Sequence, residues 1–170
     1  MLGLVERRWF MGHYDTGMAC LNGHAITCVA GSTPHRRERF CSQCGQPAIA
    51  QCPGCGEGIR GFYHQDGVID CAQRWRVPAH CHNCGKPYPW TERRAAAVAD
   101  LIDELECLDG KEKAKLKKSI PDIVAETPNS DAAVLRFKKA AAKVGQFGGK
   151  LLTDVLSNVA AETVKKSMGL

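Results

Sequence analysis

The hydrophobic pattern changes character near residue 90. From Val98 onward, apolar residues recur at helical spacing: Val98, Leu101, Ile102, Leu105 and Leu108 follow the i, i+3, i+4, i+7 rule of one helix face. Thr91 reads as the N-cap of that helix, Glu92 suits its first turn, and Asp109-Gly110 reads as its end. A short basic helix is predicted from Lys111 to about Lys118, and Pro121 then begins a separate segment with Ile123 and Val124. Thr127-Pro128-Asn129-Ser130 is a break, with Ser130 as the next N-cap. Val134, Phe137, Ala141 and Val144 share a face, which Gly145 and Gly148-Gly149 interrupt. Leu151, Leu152, Val155, Leu156, Val159 and Val164 line one side of a last helix, with Asp154, Asn158, Glu162, Lys165 and Lys166 among the residues opposite. This half, residues 91–170, is therefore expected to be an all-α module of about four helices.

The first half has no such period. It holds nine of the 11 aromatic residues and nine of the ten cysteines. Its punctuation is four short pairs: Cys20-Leu-Asn-Gly-His24, Cys41-Ser-Gln-Cys44, Cys52-Pro-Gly-Cys55 and Cys81-His-Asn-Cys84. Seven thiols and one imidazole make eight donors, enough for two tetrahedral zinc sites. A Cys-x-x-Cys turn supplies two donors from one tight loop, and glycine follows the second cysteine in three of the pairs (Gly45, Gly56, Gly85), where the chain turns sharply.

Three groupings of the four pairs are open. The sequential one places Cys20, His24, Cys41 and Cys44 in site 1 and Cys52, Cys55, Cys81 and Cys84 in site 2, with 16 and 25 residues between half-sites, lengths that suit zinc ribbons. A nested grouping joins Cys41/Cys44 to Cys52/Cys55 over only seven residues, and an interleaved one makes a cross-brace. Cys28 and Cys71 fall inside the loops and read as small buried apolar side chains, with replacement of a ligand as the sharper alternative. His80 and His82 flank Cys81 and read as supporting or exposed groups, and Cys107 falls on an apolar helix face. The expected organisation is an N-terminal extension (1–13), a zinc-stabilised β-rich module of tandem zinc ribbons (14–90) and the helical module (91–170).

Charge narrows the function classes. Seven zinc-bound thiolates subtract seven charges and two dications add four, so the formal +5 falls to about +2. Residues 1–90 hold nine Lys/Arg against six Asp/Glu, and residues 91–170 hold 14 against 12, so neither half has the excess of a dedicated nucleic-acid binder. No apolar run is long enough for a spanning helix, and residues 1–10 are too short and too charged for a signal peptide, which predicts a cytoplasmic protein. In a reducing compartment, closely spaced cysteines read as metal ligands rather than disulfides.

No His-Glu-x-x-His run and no deaminase-type His-x-Glu with Pro-Cys-x-x-Cys occurs, and both proposed sites close with four ligands, which argues against zinc catalysis. The leading expectation is a non-catalytic zinc-ribbon adaptor that binds a protein partner or itself through the helical half. The alternative is a nucleic-acid-binding zinc ribbon using Arg36, Arg37, Arg39, Arg60, Arg74 and Arg76. An enzyme of unknown class ranks third. Membrane-surface binding is disfavoured because the last helix lacks aromatic anchors and clusters its lysines at one end.

The string CLNGH followed by FCSQCG resembles a bacterial zinc-ribbon pattern with an Asn-Gly-His knuckle. The longer run CLNGHAITC, RFCSQCGQPAIAQCPGCGEGIRGFYH and CHNCGKPYPWTE resembles an uncharacterised bacterial zinc-ribbon family, a domain of unknown function. The similarity continues through LKKSIPDIV, TPNSDAAVLRFKKAAAKV and AAETVKKSMG and covers residues 14–170. It implies two zinc-binding knuckle pairs and carries no activity with it.

Overall fold

A computed structural model of the chain describes residues 12–65, 75–157, 160 and 165–166, with Phe147 described by its backbone alone. Cys71, Arg74, Asn158, Val159, Glu162 and Val164 lie outside the described residues. The chain divides into two compact units, residues 1–90 and 91–170.

The first unit consists of two small antiparallel sheets. Strand β1 (His13–Thr16) pairs with β5 (Arg60–His64), placing His13 opposite His64 and Tyr14 opposite Tyr63. Strand β2 (Met18–Cys20) lies between β3 (Ala25–Thr27) and β4 (Ala48–Ile49). The strands are short, two to five residues each. The core is correspondingly small: Ala19, Cys52, Ile59, Cys81, Tyr88 and Trp90, with Ile49, Trp75 and Val77 against it. Trp90 stacks on Tyr88 at 4.6 Å, and its indole N–H donates to the Pro78 carbonyl at 2.9 Å.

Asp15 holds the first unit together by a different route. Its buried carboxylate accepts the N–H groups of Thr16 (2.6 Å), Gly31 (2.8 Å) and Ser32 (3.2 Å), the Ser32 hydroxyl, and His64 Nε2 at 3.3 Å. Burial alone would raise its pKa, but these donors outweigh that and hold it below the ordinary carboxylate value. One side chain thereby ties β1, the loop after β3 and β5 together.

The second unit is helical. Helix α1 runs Pro89–Glu104, so it starts before Thr91, and Thr91 is a buried residue of its first turn rather than its N-cap. Proline fits a helix start because the first N–H groups of a helix have no partner within it. Asp109 does not end α1. It caps α2 (Gly110–Ala125) in a reciprocal box: the Glu112 N–H donates to Asp109 Oδ1 at 2.8 Å, and the Asp109 N–H to Glu112 Oε2 at 3.0 Å.

Helix α2 also runs through Pro121, where the sequence predicts a new segment. The missing proline N–H leaves the Lys117 carbonyl without its helical donor, a defect worth roughly 3 kcal/mol. Leu116, Ile120 and Ile123 on the buried face offset it, since each such side chain contributes about 1.5–3 kcal/mol on burial.

Helix α3 spans Ser130–Ser157 and is broken at Gly145 (φ 83°, ψ −179°), so α1, α2 and the two halves of α3 make four α-helical segments over residues 89–157. That backbone conformation is open essentially only to glycine. Gly148 and Gly149 do not interrupt the helix; they belong to its second half. Gly149 approaches the Ala141 carbonyl so closely that a Cβ there would lie 2.5 Å from the oxygen. The break and the close approach fold the second half back on the first. Ser130 opens α3 but does not cap it: its hydroxyl donates to the Asp122 carbonyl at 2.7 Å, pinning α3 to α2.

The helical core holds Val98, Ile102, Leu105, Leu108, Phe137, Leu152 and Leu156, as the spacing predicts, and also Leu116 of the helix read as merely basic. Leu151, expected on the same face, is exposed. Cys107, expected in the core, is also exposed, because α1 ends at Glu104 and a turn through Leu105 and Leu108 replaces the helical face. No described helix is long and apolar enough to cross a membrane.

Candidate metal centre

Each Cys-x-x-Cys pair builds the same hairpin. The N–H of the first cysteine bonds the carbonyl five residues on: Cys41 to Gln46 (2.9 Å), Cys52 to Glu57 (2.7 Å) and Cys81 to Lys86 (2.9 Å). The following glycine N–H returns to the first cysteine carbonyl: Gly45 to Cys41, Gly56 to Cys52 and Gly85 to Cys81, at 2.8–2.9 Å. All three glycines have φ between 68° and 76°, so the hairpin closes at a left-handed position. The first pair closes one residue differently, with the Cys20 N–H on the His24 carbonyl at 3.0 Å.

These hairpins bring the eight donors into two clusters, Cys20/His24/Cys41/Cys44 and Cys52/Cys55/Cys81/Cys84, whose donor atoms lie within 4.8 Å of one another in each case. This is the sequential grouping. Cys28 is half-buried and belongs to neither cluster, and neither His80 nor His82 joins one.

The distances test whether a metal ion fits. Cys20 Sγ lies 3.7 Å from Cys44 Sγ, Cys52 Sγ 3.8 Å from Cys84 Sγ, and Cys55 Sγ 3.7 Å from Cys81 Sγ. A tetrahedron with zinc–sulfur bonds of about 2.3 Å has sulfur–sulfur edges of about 3.8 Å. His24 faces its cluster with Nδ1, 3.3 Å from Cys44 Sγ and 3.6 Å from Cys41 Sγ, against a sulfur–nitrogen edge of about 3.6 Å. Both donor sets therefore match a tetrahedral ion in size and in chemistry.

Electrostatics points the same way. Burial opposes ionisation of Cys41, but the N–H groups of Gln43 and Cys44, then the His24 and Cys44 side chains, bring it down to about 7. The Gln46 N–H favours the Cys44 thiolate, yet burial and the Cys20 and Cys41 thiols push it up. In the second cluster the Cys84 N–H, against burial and helped by the Asn83 N–H, brings Cys81 down to about 6. Cys84 rises to about 11, because burial and the thiols of Cys55, Cys81 and Cys52 outweigh the Lys86 N–H. Each cluster thus ionises one thiol readily and resists the next. A cation among the sulfurs removes that conflict, because it stabilises every thiolate at once.

Three supporting residues were not legible as such in the sequence. Asn22 and Asn83 each point a side-chain amide at a thiol of the facing hairpin, Asn22 at Cys44 (3.6 Å) and Asn83 at Cys55 (3.7 Å). Their shared signal is position: both stand two residues after a cysteine. Tyr88 is the third. Among the described residues its buried hydroxyl makes no hydrogen bond of good geometry, and burial, then the nearby Cys81 thiol and the charges of Cys52 and Cys55, raise its pKa well above the ordinary phenol value. A polar atom orphaned beside a thiol cluster gains a strong acceptor when the thiols become metal-bound thiolates.

Of the six arginines, Arg60 lies with its guanidinium carbon 4.7 Å from the centre of the Tyr14 ring, and Arg37 donates through Nε to the Ala30 carbonyl at 2.8 Å. Arg36, Arg39 and Arg76 are exposed.

Antiparallel cysteine hairpins that converge in pairs on two four-donor clusters define a protein of the zinc-ribbon type. The chain belongs to the family described as "Uncharacterized protein conserved in bacteria (DUF2321)", whose model matches residues 13–168. No curated protein and no solved structure matches it.

Proposed function

We propose that the protein binds two zinc ions as structural clamps, one in each cluster, and acts as a non-catalytic adaptor whose helical half engages a protein partner or a second copy of itself. The observation that carries this reading is the closure of both clusters. Each supplies four donors at tetrahedral spacing, whereas a catalytic zinc keeps a position open for water or substrate. The zinc-clamped unit is then a scaffold, and the working surfaces lie outside its metal sites. Cytoplasmic residence belongs to the same reading, because a reducing compartment keeps the thiols available to metal.

Leu152 and Leu156 are only 0 and 1 % exposed, so most of the described apolar face of the last helix serves its own core. A partner would therefore meet the outer surfaces of the helical unit. Light scattering of the zinc-loaded full chain across concentration tests self-association, and reciprocal co-purification from the native cell tests a heterologous partner. A monomer at every concentration with no reciprocal partner would overturn the adaptor reading.

One observation favours the nucleic-acid alternative. Tyr14 and Tyr63 are 51 and 41 % exposed, their rings lie 4.8 Å apart, and Arg60 lies against Tyr14. Exposed aromatic rings beside arginine can stack unpaired bases. Binding to short single-stranded and duplex oligonucleotides across salt separates the readings. Phosphate contacts weaken steeply as salt rises, and no binding at low salt would remove this alternative.

A further inference from the structure

Between α2 and the first half of α3 lies an open groove of about 270 Å³. Its floor is aliphatic, formed by Leu108, Leu116 and Ala140. Its rim is cationic: Lys115 stands on the α2 side, and Arg136, Lys139 and Lys143 stand on the α3 side. The α3 cations are spaced i, i+3 and i+7, so they form one line about 10 Å long down the helix. The single carboxylate of the groove, Glu112, is already taken by Lys143 at 2.7 Å. Among the described residues neither Lys115 nor Lys139 forms a close ion pair, although Lys115 lies in the field of Asp109.

Shape and charge together select the occupant. Enclosed small-molecule sites usually measure about 300–1,000 Å³. This groove is smaller and about half open to solvent, which suits the anchoring side chains of a docked helix. An apolar floor flanked by Lys115 and Lys139, which form no ion pair among the described residues, is complementary to an apolar stripe flanked by carboxylates. Arg136 already donates to the Ser119 hydroxyl at 2.9 Å and Lys143 to Glu112, so a helix lying along α3 would set its carboxylates against Lys139 and, across the groove, Lys115, with its aliphatic side chains on Leu108, Leu116 and Ala140.

We propose that this groove binds an acidic amphipathic helix of a protein partner. The proposal rests on the adaptor reading and assigns it a surface and a partner chemistry.

The test uses the isotopically labelled, zinc-loaded full chain. A synthetic helix-forming peptide of about 18 residues, with leucines at helical spacing flanked by glutamates, is titrated against it. A control peptide carries lysine in place of each glutamate, and dodecanoate probes for a small anionic amphiphile. Binding of the acidic peptide should shift the amides of Leu108, Lys115, Leu116 and Ala140 and should weaken as salt rises. The double variant Lys115→Glu/Lys139→Glu should lower affinity about tenfold or more with unchanged helical circular dichroism. Lys139→Gln, a milder change at an exposed position, should lower it less.

Equal binding of the lysine peptide, or unchanged affinity in the charge-reversed chain, would overturn the proposal. So would dodecanoate filling the groove where the acidic peptide does not. If the peptide leaves the groove unperturbed while the full chain still forms a reciprocal complex, the groove assignment falls and the adaptor reading stands.

Discussion

Cys52 Sγ and Cys84 Sγ lie 3.8 Å apart, with the two residues 32 positions apart in the chain. A disulfide would hold them at about 2.05 Å, whereas the edge of a tetrahedral zinc–thiolate site is about 3.8 Å. Cys20 and Cys44 repeat the relationship at 3.7 Å. Elemental analysis should therefore find two metal ions per chain, with one lost in Cys84→Ser and one in Cys20→Ser. Chelation should abolish the near-ultraviolet signal of the first unit, because ligation and folding are coupled. A single ion in the wild type, or a spectrum unmoved by chelation, would contradict the assignment. Zinc and iron both accept this donor set, and the elemental analysis distinguishes them.

Gly145 supplies a conformation that an L side chain resists (φ 83°, ψ −179°). Space is not the obstacle, since a Cβ there would meet nothing within 4 Å. Gly145→Ala should therefore cost roughly 1–3 kcal/mol through backbone strain alone, read as a lower midpoint in denaturant melts of the helical signal. An unchanged midpoint would show that α3 can pass straight through this position.

Pro121 predicts the opposite sign. It is exposed and sits inside α2, where it removes a donor from the helix. Pro121→Ala restores an N–H to the Lys117 carbonyl and should stabilise the helical unit by about 1 kcal/mol or more, after allowing for the greater freedom of the unfolded chain. A lower midpoint in the same melts would show that α2 depends on the proline.

Acid should loosen the start of α2. The Glu112 N–H is the main cause that lowers Asp109 below its usual 3.8, and Lys143 is the main cause that lowers Glu112 below its usual 4.5. A carboxylate with a depressed folded-state pKa contributes stability above its unfolded value and loses it as pH falls through the folded one. The thermal midpoint of the helical signal should thus be steady above about pH 5 and fall below about pH 4. Glu112→Gln should lower the midpoint near neutral pH and flatten the acid limb. A variant with the wild-type acid limb would refute this source.

The cysteine hairpins were legible because their geometry is local. Cysteine spacing places two donors on one turn, and the glycine after Cys44, Cys55 and Cys84 marks the left-handed residue that closes it. The helical core was legible for a similar reason, since Val98, Ile102, Phe137 and Leu152 follow the helix period. Element ends were harder. Thr91, Asp109 and Ser130 are all residue types that cap helices, but propensity cannot say which helix a residue caps or whether its side chain turns elsewhere. Asp109 serves the helix after it, and Ser130 bonds back to Asp122. Pro121 reads as a boundary until the buried face of α2 is weighed against one lost hydrogen bond.

By itself, then, the sequence determined the donor pairs, their turns and the apolar faces of the helices, because steric limits and side-chain periodicity act over a few residues. Only the tertiary structure decided which hairpins share a cluster, that Tyr14 stands opposite Tyr63, and that α2 and α3 enclose a lysine-rimmed groove. Closing a loop costs free energy that grows only slowly with its length. Loops of 16 or 25 residues therefore could not select a grouping on entropy alone, and the packing of Ile59, Tyr88 and Trp90 around Cys52 and Cys81 accompanies the one adopted.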